Sequence, residues 1–73
     1  MKRQVYTVGG DTMINLRRIR QERGLTLKQL GEMTDLSESY ISLIETMERV
    51  PSVPAAKRIA KVLGFDWTRF FDK

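Results

Sequence analysis

The chain has 73 residues, 41% hydrophobic and 30% charged, enough for one small core and too few for two domains. With no Cys and no His, it has no disulfide or thiolate zinc site and lacks the commonest general base, so no metal and no cofactor is expected. Thirteen Lys and Arg against nine Asp and Glu give net +4, a balance that suits a polyanionic partner such as nucleic acid and also serves plain solubility.

Residues 1–11 alternate like a short strand over Val5–Val8 and then break at Gly9-Gly10. A single strand cannot stand alone, so this segment is expected to be an N-terminal arm, with residues 12–73 forming the domain. Lys2 and Arg3 would let such an arm touch a duplex; alternatively, Val5–Val8 would pair with its copy in a second subunit. Asp11 or Thr12 is positioned to cap a first helix that runs to Glu22 or Arg23, with Met13, Leu16 and Ile19 apolar and Gly24 as its stop. Thr26-Leu27-Lys28-Gln29 is a capping box that opens a short second helix to Thr34, whose inner face takes Leu27, Leu30 and either Met33 or Thr34.

After a tight turn at Asp35-Leu36, Ser37 caps a third helix over 37–46 with Tyr40, Ile41 and Ile44 on one face. Ser52 caps a fourth, with Pro54 in its first turn, Ala56, Ile59, Ala60 and Leu63 as its stripe, and Gly64 as its stop. Asp66 starts a last helical turn bearing Trp67, Phe70 and Phe71, of which Phe71 is expected to close the core. Nowhere is there an apolar run near the ~18 residues of a membrane span, nor a signal-peptide core, so a soluble cytoplasmic protein with no membrane partner is expected. The fold class is all-α, five short helices in one compact domain.

The link between the second and third helices is too short for an antiparallel pair, so the two must cross steeply, as in a helix-turn-helix. Gly31 is expected where the third helix comes closest, because only a residue without Cβ permits that approach. From Leu16 to Phe71 the chain resembles the lambda-repressor-like (Cro/repressor, xenobiotic-response-element type) helix-turn-helix domains. The residues that carry the resemblance are Leu16-Arg17-Arg18-Ile19-Arg20, Arg23-Gly24-Leu25-Thr26, Ser37 through Glu45, Pro51-Ser52 and Ile59 through Gly64.

The resemblance implies a sequence-specific, double-stranded-DNA-binding regulator, a repressor that works as a homodimer on paired half-sites with the third helix in the major groove. It assigns Arg20 and Glu45 to a partly buried salt bridge, and Glu38, Ser39, Ser42 and Leu43 to base contacts. Phosphate contacts would come from Thr26 and Ser37 at the helix starts and from Lys28 and Arg49. Trp67 and Phe70 are candidates for the dimer interface. No small-molecule ligand is evident, and no His, Cys or nearby Lys activates a serine of the third helix, so no enzyme is expected.

The chain departs from the family at several places. Asp35 stands where the family has Gly, Leu27 where it has Gln, and Met47-Glu48 where it has Gly-Lys. From Gln29 through Glu48 there are five acids (Glu32, Asp35, Glu38, Glu45, Glu48) and no Lys or Arg. That stretch favours a second reading, an antitoxin-like or regulatory module on the same fold whose acidic face meets a basic protein.

Overall fold

The computed structural model describes residues 14–71. The arm at 1–11 and the caps expected at Asp11 and Thr12 lie outside the described residues. Helix 1 (α1, Leu16–Glu22) is capped by Asn15, whose side chain accepts from the Arg18 N–H at 3.1 Å. The helix therefore begins later than the apolar spacing suggested, and Ile14, just ahead of the cap, turns into the core.

Helix 2 (α2, Leu27–Thr34) carries the full capping box: Gln29 N–H donates to Thr26 Oγ1 at 3.0 Å and Thr26 N–H to Gln29 Oε1 at 2.9 Å. Helix 3 (α3, Glu38–Glu45) starts at Ser37, whose hydroxyl accepts from Tyr40 N–H at 3.0 Å. Helix 4 (α4, Val53–Leu63) starts at Ser52 with Pro54 in its first turn and ends at Gly64, whose φ of +83° is one that a side chain resists.

The last element is a 3-10 turn, Trp67–Phe70, and not a fifth α-helix. Its cap, Asp66, accepts from both the N–H and the hydroxyl of Thr68, at 3.0 and 2.8 Å, which fixes the start of the turn, and the Phe71 N–H returns to the Thr68 carbonyl at its end. Four residues are too few for the cooperative i→i−4 ladder to become established. The described residues thus form four α-helices and one 3-10 turn, with no strand.

The core gathers Ile14 and Leu16, Leu30, Ile41 and Ile44, Ala56, Ile59 and Leu63, and Phe70. Burying each large side chain contributes about 1.5–3 kcal/mol, so α2, α3 and α4 hold one another through this cluster. On α2 the structure chooses Thr34 over Met33 for the inner face. Thr34 is buried with its hydroxyl donating to the Leu30 carbonyl at 2.7 Å, while Met33 is exposed. The terminal aromatics are also reassigned. Phe70 fills the core, its ring tilted 60° against that of Phe65 with centroids 5.4 Å apart, whereas Phe71 stays exposed and meets Trp67 edge-on.

The turn between α2 and α3 depends on two residues. Asp35 adopts φ +60°, and the Leu36 N–H returns to the Gly31 carbonyl at 3.0 Å. A Cβ on Gly31 would lie 2.7 Å from the Leu36 carbonyl oxygen and 3.7 Å from the Glu38 nitrogen. The close approach at Gly31 is therefore made first by the turn's own backbone, and only more loosely by the start of α3.

Candidate nucleic-acid interface

Two anchors set the position of α3. The first is Arg20, whose Nε donates to Glu45 Oε2 at 2.6 Å and whose second terminal nitrogen donates to Oε1 at 3.2 Å. Its remaining terminal nitrogen donates to the Leu25 carbonyl at 2.7 Å. The pair is side-on and almost entirely removed from water, with 10% and 6% of the two side chains exposed. Paired in this fork, the charges lock the end of α3 onto α1.

The second anchor is Tyr40. Sequence spacing places it on the buried side of α3, yet it is only half-buried, and its hydroxyl accepts from the Ser52 N–H at 3.0 Å. That bond ties α3 to the cap of α4. The guanidinium of Arg49 lies 5.4 Å from the Tyr40 ring centroid, so this loop cation is held beside α3 instead of trailing freely. Nothing in the spacing of the sequence announces the Tyr40–Ser52 bond, which joins residues twelve apart.

With Ile41 and Ile44 buried, a rotation of about 100° per residue points Ser39, Ser42 and Thr46 outward, with Glu38 on one border and Leu43 on the other. Glu38, Ser39 and Leu43 are exposed, and Ser42 is half-buried. The hydroxyl of Thr46 is engaged locally, 2.9 Å from Glu48 Oε2. Glu38 also borders a shallow cleft between α2 and α3 lined by Lys28, Glu32 and Asp35.

Of the residues expected to hold phosphate, Thr26 and Ser37 also cap helices. The Thr26 N–H is already given to Gln29, so an anion at the start of α2 would meet the next backbone N–H groups and the Thr26 hydroxyl proton. Ser37 uses its oxygen to cap Tyr40 and keeps its own proton. Lys28 is exposed on the first turn of α2.

The other cations are arranged differently. Arg18 pairs with Glu22 at 3.2 Å, Lys57 lies 5.1 Å from the Trp67 ring centroid, Arg23 Nε donates to the Leu63 carbonyl at 3.0 Å, and Arg58 reaches the Thr34 carbonyl at 3.4 Å. Arg23 and Arg58 thus serve helix C-termini, a structural use that no local sequence signal marks.

The interface expectation for Phe70 is corrected: the residue is 1% exposed, buried in the core of its own chain, and leaves no surface for a second copy. The outward aromatic surface at this end is Phe71, with half-buried Trp67. Among the described residues there is no cluster of acids that could hold a metal, and no helix is long and apolar enough to cross a membrane.

A short helix pair joined by a tight turn, with the second helix pinned from behind and bare in front, defines a helix-turn-helix protein. The chain belongs to the helix-turn-helix family, whose pattern it matches over residues 16–70. It is 39% identical over 57 residues to an uncharacterized HTH-type transcriptional regulator, YqaF of Bacillus subtilis, a match spanning 78% of this chain and 75% of that one. It is 33% identical over 58 residues to the HTH-type transcriptional regulator PuuR of Escherichia coli, spanning 80% of this chain but 31% of PuuR. Among solved structures, the N-terminal DNA binding domain of SinR from Bacillus subtilis superposes with a TM-score of 0.71 at 27% identity, covering 80% of this chain and 86% of that one.

Proposed function

We propose that the protein is a sequence-specific DNA-binding transcriptional regulator, a repressor that occupies its operator with α3 in the major groove. The observation that carries this reading is the bare outward face of α3, held at a set angle by the Arg20–Glu45 pair in a chain of helix-turn-helix family membership. Glu38, Ser39, Ser42 and Leu43 face the bases. Thr26, Lys28, Ser37 and Arg49 face phosphates, and the free N–H groups at the starts of α2 and α3 assist them. A homodimer places two copies of α3 on paired half-sites, with Trp67 and Phe71 as the aromatic surface available to a second copy.

Titration of the full chain against a randomised duplex pool at several salt concentrations tests the reading. A selected motif with a steep salt slope is expected, and Lys28→Ala and Arg49→Ala should each reduce that slope by about one. The acidic run from Gln29 to Glu48 favours the second reading, a module that binds a basic protein through α3. A pool that yields no motif and no salt-dependent binding would select that alternative.

A further inference from the structure

The outward face of α3 is unusual in what it lacks. From Ser37 to Thr46 there is no Lys, Arg, Asn or Gln. Guanine shows two acceptors, O6 and N7, in the major groove and is read by the paired donors of Arg or by Lys. Adenine shows an N7 acceptor with an N6 donor and is read by the amide of Asn or Gln. This helix therefore has no bidentate reader for either purine. Of its outward hydroxyls, that of Thr46 is bound to Glu48 at 2.9 Å, and a lone hydroxyl such as that of Ser39 or Ser42 discriminates only weakly among bases.

Two groups with strong base preference remain. Leu43 presents an apolar surface, 36% exposed, on the side opposite buried Ile41. Glu38 presents an acceptor-only carboxylate at the exposed start of the helix. The major-groove groups that complement them are the C5 methyl of thymine and the N4 amino group of cytosine, and both belong to pyrimidines. We infer that this protein reads its operator through pyrimidines, with Leu43 packed on thymine methyl groups and Glu38 accepting from cytosine N4. The inference rests on α3 lying in the major groove as proposed above.

The experiment changes the DNA before the protein, so folding is not at issue. The full chain is used to select a motif from a randomised duplex pool. Each thymine of the selected duplex is then replaced by uracil, which removes only the methyl group. Replacement at the contacted thymine should weaken binding about three- to fivefold, the worth of one buried methyl.

Leu43→Ala should bind the thymine and uracil duplexes equally, which separates a methyl contact from any change in duplex stiffness. Glu38→Gln should relax the choice at one cytosine, because an amide can also serve adenine. If a motif is selected but every uracil duplex binds the parent as the thymine duplex does and Glu38→Gln leaves every cytosine preference unchanged, pyrimidine reading is overturned while DNA binding stands. If the pool yields no motif at all, the groove placement of α3 fails and this inference fails with it.

Discussion

Arg20→Met gives the most direct measure of how firmly α3 is held. The substitution preserves an unbranched side chain of similar reach but leaves Glu45, whose side chain is 6% exposed, as a buried carboxylate without its cation. Stranding one member of a buried pair costs ~3–5 kcal/mol. The Leu25 carbonyl also loses its donor at 2.7 Å, which adds about 1 kcal/mol. A domain of this size has roughly 4–11 kcal/mol in total, at ~0.05–0.15 kcal/mol per residue, so the single change removes a large fraction of its stability.

Urea denaturation followed by far-UV circular dichroism and by the emission of Trp67, the sole tryptophan, reads the loss directly. Arg20→Met with Glu45→Leu should regain most of it, because an apolar pair costs no desolvation of charge. The recovery should stop short by about 1 kcal/mol, since the Leu25 carbonyl still lacks its donor. A single variant whose midpoint lies within about 0.5 kcal/mol of the parent, the range of an ordinary surface change, would refute the reasoning.

Three further outcomes follow from the local geometry. Gly31→Ala should destabilise the fold by about 1–3 kcal/mol despite the higher helix propensity of Ala, because its Cβ would sit 2.7 Å from the Leu36 carbonyl; a raised melting temperature would show that the turn has slack. Met47→Gly should stabilise by roughly 0.5–1 kcal/mol, relief of a side chain at φ +65° offset by chain entropy, and should gain more than Asp35→Gly at φ +60°, because Asp tolerates that region; equal gains in paired thermal melts would contradict the argument.

Asp66 is held below the ordinary carboxylate value of 3.8, first by the Thr68 N–H and then by its hydroxyl, so its contribution is present above that value and lost as pH falls through the lowered one. In an acid titration the Thr68 amide resonance should follow Asp66 with a midpoint below 3.8, and a midpoint at or above it would sink the assignment.

What the chain's order of residues determines alone is local. Thr26 with Gln29, Ser37, Ser52 with Pro54, and the glycines Gly24 and Gly64 each act on backbone groups within a few positions, so capping chemistry marks three helix starts and two helix ends without reference to the rest of the molecule. The 3.6-residue period likewise picks out Ile41, Ile44, Ile59 and Leu63 as core.

Tertiary structure decides wherever two solutions are locally equal. Met33 and Thr34 both fit the inner side of α2, and Thr34 is buried because its hydroxyl can be satisfied by the Leu30 carbonyl one turn back. Phe70 and Phe71 are adjacent and equally apolar. The 3-10 turn opened by Asp66 sets which ring packs into the core, and so which one is left exposed.

The interface divides in the same way. Which side chains face outward on α3 follows from helical period, whereas its angle depends on contacts between residues distant in the chain. Arg20 reaches Glu45 across 25 positions, and Tyr40 reaches Ser52 across 12. No local pattern encodes such pairs, because their energy exists only once water has been excluded from between the helices that carry them.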